Sequence, residues 1–176
     1  MRFTATAIDG VVIVDLDVIS DERGSFSRLH CPEDFAAAGH PFVPAQTSLS
    51  RNAKARTLRG MHYEAAPHAE AKLVRATRGA IFDVAVDLRP DSPTYLRWTG
   101  AELSAQNGRA LLIGKGLAHG FITLQDDTDV LYQIDRIFEP GHGRGARWND
   151  PRFGIEWPAT PLVISDRDAA YPNHEG

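Results

Sequence analysis

The sequence has a single cysteine, Cys31, among its 176 residues. An intrachain disulfide is therefore excluded, and such sparse use of cysteine is typical of a reducing compartment. No apolar run approaches the roughly 20 residues of a membrane-spanning helix. The opening segment MRFTATAIDGVVIVDLDV has no basic start, and Asp15 and Asp17 interrupt its apolar run, so we expect no signal peptide. These absences predict a cytoplasmic protein without a membrane partner.

An excess of positive charge is also lacking, since 19 Lys and Arg stand against 23 Asp and Glu, for a net charge of −4. This balance argues against nucleic acid as a partner. The sequence contains no internal repeat and no low-complexity linker. A hydrophobic content of 43% is ample for one core. We therefore expect a single domain over residues 1–176.

What the sequence does contain is a succession of short β-strand signals. VVIVDLDV (11–18) is rich in β-branched residues, and AIFDVAVD (80–87) alternates with period two between a wholly apolar face and a face that carries Asp83 and Asp87. Turns rich in Pro, Gly, Asn and Asp separate these segments. One short helix is predicted over 31–40, and the proline-rich tail is expected to wrap the barrel in extended form. The whole predicts an all-β sandwich or barrel with few short helices.

A barrel of this size can hold one small ligand, so inward-pointing polar side chains are of interest. In a regular strand, TLRGMHYE (57–64) places His62 and Gly60 on one face and Arg59 on the other. A bulge at Gly60 would instead bring Arg59 and His62 to the same face of the strand, at the same opening of the barrel. The next strand starts near Lys72, after a turn, and we expect it to pair antiparallel with the first, beside His62.

Each candidate residue taken singly has an ordinary structural explanation. His62 fits a satisfied strand histidine, Tyr132 a core tyrosine, His119 a turn histidine between two glycines, and Asp168 a polar loop. Taken together, a carboxylate-paired imidazole, an ammonium such as Lys72 and a phenol are what proton abstraction next to a carbonyl requires.

Two further interpretations concern a phosphate and a metal. The guanidinium groups of Arg23 and Arg59 would suit a diphosphate. The segment HYEAAPHAE contains four N or O ligands, and metal-binding barrels of the cupin class carry a His-x-His pair, a Glu and a later His. A metal-dependent enzyme that uses His62, Glu64 and His119 is therefore an alternative.

Six motifs spread along the chain resemble those of one family. They are DERGSF (21–26), TLRGMHYE (57–64), AKLVRATRGAIFDVAVDLRPDSPTY (71–95), GLAHGF (116–121), WNDPRFGIEWP (148–158) and ISDRD (164–168). In this order they resemble the dTDP-4-dehydrorhamnose 3,5-epimerases, a family of metal-free cupins. The resemblance covers about residues 8–172.

The resemblance implies a cupin-type jelly-roll barrel, usually a homodimer, that acts on a nucleotide-linked 4-keto-6-deoxyhexose without a metal or other cofactor. It implies that His62 abstracts a sugar proton, that Asp168 orients His62, that Lys72 stabilises the enolate and that Tyr132 returns a proton from the opposite face. The substrate-binding residues that it implies are Arg23, Phe26, Arg28, Gln46, Ser48, Arg59, His119 and Arg167.

Some residues depart from the family's usual ones. Arg28 and Gly143 stand where Glu is common, and Ser48 stands where Asn is common. The base of the nucleotide therefore stays open, as does the choice between inverting carbon 3, carbon 5 or both. A non-catalytic sugar-nucleotide-binding cupin is the remaining alternative.

Overall fold

The computed structural model of the chain describes residues 1–175. Two antiparallel sheets face each other and contain most of its strands. The first sheet has the strand order β1-β2-β10-β7-β12-β5, and the second has the order β13-β6-β11-β8-β9, with β14 added in parallel to β6. A separate hairpin is formed by β3 and β4.

The first sheet and the hairpin come largely from the N-terminal half of the chain. Their strands are β1 (Arg2–Ala5), β2 (Val11–Asp15), β3 (Val18–Asp21), β4 (Gly24–Ser27), β5 (Gln46–Asn52), β7 (Lys72–Arg78), β10 (Ala110–Ile113) and β12 (Thr128–Ile134). The second sheet contains β6 (Thr57–Glu64), β8 (Ala80–Asp87), β9 (Trp98–Ser104), β11 (Leu117–Thr123), β13 (Gly143–Gly145) and β14 (Val163–Ile164). Helix α1 spans Pro32–Ala37 and helix α2 spans Asp166–Ala170.

Three apolar layers account for this architecture. The central layer lies between the sheets and includes Val74, Ile81, Phe121 and Val130. The outer face of the first sheet is covered by Phe35 of α1 and its neighbours. The outer face of the second sheet is covered by the C-terminal tail through Phe153, Ile155 and Trp157. Period-two side-chain alternation thus supplies both faces of each sheet with a buried surface.

The predicted sandwich or barrel, the helix after Cys31 and the wrapping tail are therefore confirmed. The strand predicted over 11–18 is wrong as a single element, because it is divided into β2 and β3 at Leu16 and Asp17. The division lets the chain leave the first sheet and form the hairpin. Within the described residues 1–175, no helix is long and apolar enough to cross a membrane.

Strand β8 is buried on both of its faces. Val84 and Val86 pack under the tail, whereas Ile81 and Ala85 belong to the central layer. Asp83 has the same parity as Ile81 and Ala85, so this carboxylate points between the two sheets. The partly polar face of β8 is thus its inner face.

Strand β6 contains the bulge that Gly60 predicts. His62 is opposite His119 of β11, but Arg59 is opposite Phe121, so β6 has one residue more than β11 in this interval. Arg59 and His62 therefore share a face, and their assignment to opposite faces of a regular strand is wrong. Gly60 has a φ of +142°, and a Cβ there would lie 2.6 Å from the Cα of Gly120.

The expected pairing of Lys72 beside His62 is also wrong. Strand β7, which begins at Lys72, pairs with β10 and β12 in the first sheet, whereas β6 lies in the second. The two residues belong to facing sheets because the turn at 65–71 crosses from one sheet to the other instead of closing a hairpin.

Candidate active site

A histidine–carboxylate pair lies at the inner face of the second sheet. His62 Nε2 lies 2.8 Å from Asp168 Oδ1, and the backbone N–H of Gly60 donates to Asp168 Oδ2 at 3.1 Å. The Asp168 side chain is 6% exposed, against 39% for His62. Burial raises the pKa of the Asp168 carboxyl, but the hydrogen bonds from His62 and Gly60 outweigh this effect and hold the pKa below its usual value. In the neutral tautomer whose Nε2 proton Asp168 accepts, the Nδ1 of His62 is free to take a proton, as a general base needs.

Local sequence explains how Asp168 reaches His62. Ser165 caps α2, and its side chain accepts a hydrogen bond from the Asp168 N–H. Strand β14, just before the cap, is held parallel to β6 at Thr57 and Leu58. The last part of the tail is therefore fixed along the strand that contains His62. The polar loop expected around Asp168 is wrong, because this segment is a capped helix.

A second histidine–carboxylate pair lies next to the first. His119 is directly opposite His62 across the β6–β11 pair, and its Nε2 lies 2.7 Å from Asp83 Oδ1. Both side chains are almost fully buried, and Asp83 Oδ2 has no hydrogen-bond partner. Burial raises the pKa of Asp83 above its usual value, and the neighbouring His119 and Lys72 only partly offset this effect. His119 is thus a positioned interior histidine and not an exposed turn residue.

The ammonium and the phenol face these pairs from the first sheet. Lys72 forms an ion pair with Glu70 at 3.0 Å, with both side chains less than 15% exposed. Tyr132 of β12 packs against the central layer, and its ring meets that of His119 edge-on at 5.8 Å between centroids. Burial raises the pKa of the Tyr132 phenol far above its usual value, and the charge of Asp83 adds to the shift. Tyr132 is therefore protonated at neutral pH and has a proton to donate.

A hollow of about 170 Å³ opens beside His62 and Lys72. Two of the predicted binding residues, Gln46 and Arg167, line it. Arg59 shares the inner face of β6, and its Nε donates to Asn52 at 2.8 Å. Tyr171 contributes packing, since its ring meets that of His62 edge-on with 6.1 Å between centroids.

Six of the eight predicted binding residues are not among those that line this hollow. Two of the six, Arg59 and His119, lie on the inner face of the second sheet, and the other four lie elsewhere. Arg23 and Phe26 lie on the β3–β4 hairpin and line a separate surface depression. Arg28 forms an ion pair with Asp34, and Ser48 lies on β5 at the edge of the first sheet, opposite Tyr132. Within one chain Arg23, Phe26 and Arg28 do not join the His62 site, whereas Ser48 is the direct strand neighbour of Tyr132.

The alternative metal site of His62, Glu64 and His119 is not assembled. Each of the two histidines directs its Nε2 to a carboxylate, Asp168 for His62 and Asp83 for His119. Over residues 1–175, the only group of three potential ligands whose atoms lie within 4.8 Å of one another is His68, Glu139 and His142.

Sequence reasoning missed three residues of the site. Asp83 and Glu70 pair with His119 and Lys72, and Arg144 lines the hollow beside Arg167. The signal for Asp83 was present, because an aspartate on the same face as Ile81 and Ala85 must be paired once that face is the core. Nothing in the local sequence around Arg144 points to the hollow, since β13 reaches it only by pairing with β6.

Two facing sheets, with carboxylate-paired histidines on one and a lysine and a tyrosine on the other, define a class: a cupin-type jelly-roll protein with a candidate acid–base site. The sequence matches the profile of the dTDP-4-dehydrorhamnose 3,5-epimerase family over residues 5–175. The chain belongs to this family.

Individual relatives agree with this assignment. The dTDP-4-dehydrorhamnose 3,5-epimerase of Pseudomonas aeruginosa is 43% identical over 170 residues, which cover 96% of this chain and 93% of the relative. The enzyme of the same name from Sinorhizobium fredii is 41% identical over 98% of this chain and 89% of its own length. A crystal structure of the Bacillus anthracis epimerase with TDP and PPi bound superposes with a TM-score of 0.95 at 38% identity, covering 98% of this chain and 99% of that one. The predicted family and the cupin-type jelly-roll fold are confirmed.

Proposed function

We propose that this chain is a nucleotide-sugar epimerase, an isomerase that inverts carbon 3, carbon 5 or both in a dTDP-linked 4-keto-6-deoxyhexose, in deoxysugar biosynthesis of the rhamnose type. One observation carries the proposal: an imidazole paired with a buried carboxylate lies in one interior with an ammonium and a protonated phenol on the facing sheet. Family membership makes the 4-keto sugar the natural substrate of this arrangement.

The reaction follows from the acidity of hydrogens next to a ketone. His62 takes the proton from carbon 3 or carbon 5, and Asp168 stabilises the imidazolium that forms. The electron pair moves onto the carbonyl oxygen, where the Lys72 ammonium stabilises the enolate. Tyr132 then gives its proton to the same carbon. Because His62 and Tyr132 belong to opposite sheets, the proton leaves one face of the sugar and arrives on the other, which inverts the carbon.

These steps need no redox partner, since hydrogen leaves and returns as a proton and the sugar carbon has the same oxidation state before and after. The phenolate left on Tyr132 and the proton held by His62 are restored by exchange with water. A positioned acid or base contributes about 10²–10⁴-fold to such a step.

The size of the hollow indicates how the substrate lies. A volume of about 170 Å³ is below the roughly 300–1,000 Å³ of sites that enclose drug-sized ligands, so it accepts the sugar and leaves the nucleotide outside. Arg144 and Arg167 at its mouth provide positive charge for the diphosphate in a chain whose net charge is −4. Gln46, Arg59 and His119 complete the proposed contacts to the substrate on this side.

The remaining proposed contacts come from a second copy of the chain. Arg23 and Phe26 project from the β3–β4 hairpin, where Phe26 is 72% exposed. In a homodimer, the hairpin of one protomer would extend to the mouth of the partner's hollow and place an arginine and an aromatic ring near the nucleotide. Arg28 and Ser48 would lie at the periphery of that composite site.

We place this one-domain enzyme in the cytoplasm, where nucleotide sugars are made.

The test is exchange of the sugar's carbon-bound hydrogens with D₂O, followed by NMR on dTDP-, CDP- and GDP-linked 4-keto-6-deoxyhexoses. We expect wild-type protein to exchange the hydrogens at carbon 3, carbon 5 or both, and His62→Ala to lose at least about 10²-fold in exchange rate. Tyr132→Phe is the matched variant, because it should still exchange by way of His62 but fail to complete the inversion.

Two outcomes would contradict the proposal. Exchange at the wild-type rate in His62→Ala would remove the base assignment. Tight binding of the sugar nucleotides by wild-type protein with no exchange on any of them would instead identify a non-catalytic binding protein.

A further inference from the structure

Two histidines and a glutamate meet at the rim of the hollow, outside the residues of the proposed reaction. His68 lies in the turn between β6 and β7, and Glu139 and His142 lie in the segment between β12 and β13. Their potential ligand atoms all fall within 4.8 Å of one another. Two imidazoles and one carboxylate are a donor set that zinc accepts, with water in the fourth position.

The spacing of the atoms is close to what a tetrahedral ion needs. Bonds of about 2.0–2.1 Å at tetrahedral angles place neighbouring ligand atoms about 3.3 Å apart. Glu139 Oε2 lies 3.2 Å from His68 Nδ1 and 3.8 Å from His142 Nε2. Both carboxylate-to-nitrogen distances are therefore within about half an ångström of this value, and the two nitrogens lie within 4.8 Å of each other.

A neighbouring arginine orients the carboxylate. Arg136 Nη2 donates to Glu139 Oε1 at 3.2 Å, which leaves Oε2 on the side of the histidines. The same nitrogen lies 3.5 Å from His68 Nδ1, so this contact must open when His68 binds an ion. Arg136 also donates to the carbonyl of Pro67 at 3.1 Å, which connects the same two segments. Outer contacts of this kind fix the orientation of metal ligands.

The position of these three residues relates them to the hollow. Phe138 and Gly143, which directly adjoin Glu139 and His142 in the chain, both line the mouth. Glu70 and Lys72, shortly after His68, line it from the other side. An ion held by the three residues would therefore tie together the two segments between which the sugar must enter.

We propose that His68, Glu139 and His142 form a binding site for a divalent transition-metal ion of the zinc type, which ties the 65–71 turn to the 135–143 segment at the rim of the hollow. The site is separate from His62, Asp168 and Tyr132, so the ion has no part in the proton transfers. It holds the mouth in one conformation.

Binding requires the imidazole rings to turn. His68 and His142 are stacked with 3.5 Å between centroids and 10° between planes, so their in-plane lone pairs lie in parallel planes and do not converge on one point. Both side chains are at least one-quarter exposed and have room to rotate. Gly141 and Gly143 flank His142 and give its backbone the freedom to follow.

The experiment is calorimetric titration of EDTA-stripped, full-length protein with ZnCl₂, in parallel with CoCl₂ titration followed by visible absorption. We expect one ion per chain and the visible bands of low-symmetry, four-coordinate Co²⁺. His142→Asn and Glu139→Gln each remove a ligand, so each should weaken binding by more than the roughly 10–100-fold that loss of an outer-shell partner costs.

His62→Asn is the control for location, because it disables the rival histidine in the hollow and should leave Zn²⁺ binding unchanged. Thermal unfolding of the metal-free variants establishes that each one is folded. Absence of stoichiometric binding by wild-type protein would overturn the proposal, as would wild-type affinity in both His142→Asn and Glu139→Gln. Loss of binding in His62→Asn alone would place the ion in the hollow instead, and would equally overturn it.

Discussion

Asp83 is a carboxylate that the proposed reaction does not consume, yet it is buried against the site with one oxygen unpaired. Leaving a buried charge incompletely paired is costly, so a compensating benefit is expected. Its Oδ1 lies 2.7 Å from His119 Nε2, and His119 is in turn opposite His62. We interpret Asp83 as a positioning residue that fixes the ring of His119 toward the substrate.

We predict that Asp83→Asn lowers kcat while the free energy of unfolding changes by less than about 1 kcal/mol. Asparagine keeps the shape and one acceptor but loses the charge that orients His119, and a neutral unpaired amide replaces an unpaired carboxylate oxygen. Because Asp83 acts through His119, the loss should stay below the roughly 10²–10⁴-fold of a direct acid or base. Steady-state kinetics and urea unfolding measure the two effects. A merely structural Asp83 would show the reverse, namely a large loss of stability with unchanged kcat.

The residues of the two pairs also differ in how they respond to burial. Asp168 receives two hydrogen bonds and keeps its pKa below the usual value, whereas Asp83 receives one and has its pKa raised. The Asp168 carboxylate, whose pair faces the hollow, therefore stays ionised well into the acid range. His62 and His119 are thus neighbours on paired strands, but the pKa of the carboxyl partner is lowered for His62 and raised for His119.

At the scale of elements, the bulge in β6 decides the geometry of the site. Without the extra residue, Arg59 and His62 would point to opposite sides of the sheet. Gly60 permits the bulge because its φ is +142° and because a Cβ would lie 2.6 Å from the Gly120 Cα. The Gly60 N–H also donates a hydrogen bond to Asp168, so the bulge helps to hold the carboxylate that pairs with His62.

We predict that Gly60→Ala loses about 1–3 kcal/mol of stability from backbone strain alone, and more from the clash with Gly120. Catalysis should fall at least about tenfold in the fraction that remains folded, since the bulge holds both His62 and Asp168. Gly39→Ala is the matched control, because Gly39 also has a positive φ, +83°, but no atom lies within 4 Å of the place that an added methyl group would take. The control should lose only about 1–2 kcal/mol and keep wild-type kcat at low temperature. Full activity of Gly60→Ala would show that the bulge is not needed for the site.

At the scale of the whole molecule, the β3–β4 hairpin is the feature that points to a second copy of the chain. It carries Ile19 and Phe26 opposite each other, at 70% and 72% exposure. Large apolar side chains on a hairpin outside both sheets are typical of a surface that another chain covers. The same hairpin carries Arg23, which the resemblance assigns to the diphosphate. A second copy of this chain satisfies both requirements.

We predict that the wild-type protein sediments as a dimer and that the double variant Ile19→Asp and Phe26→Asp sediments as a monomer. The variant should also lose kcat/KM, mainly through KM, because the partner's arginine and aromatic ring leave the nucleotide. Leu162→Asp is the control, since Leu162 is 69% exposed on the tail and should not affect assembly. Analytical ultracentrifugation and steady-state kinetics give the two readouts. A wild-type monomer with full activity would refute the composite site.

The sequence by itself determined the fold class and the family, and it proposed the reacting groups. Alternation with period two, frequent turns and sparse helix signals are local properties, so they predict two β-sheets without knowledge of the strand order. The bulge at Gly60 was predictable for the same reason, because glycine inside a strand signals it locally. His62, Lys72, Tyr132 and Asp168 were selected by chemistry and resemblance, and their catalytic roles stay predictions.

Only the tertiary structure decided which groups meet. Lys72 faces His62 from the other sheet, Asp83 pairs with His119, and the proposed metal ligands come from segments about 70 residues apart in sequence. Pairing between strands that are distant in sequence sets these contacts. No local pattern encodes this pairing, since the same turn sequence can close a hairpin or cross to the other sheet. The physical reason is that the local sequence of a strand fixes the face to which each side chain points. Which residues of other strands lie next to that side chain depends on the order of the strands in the sheets.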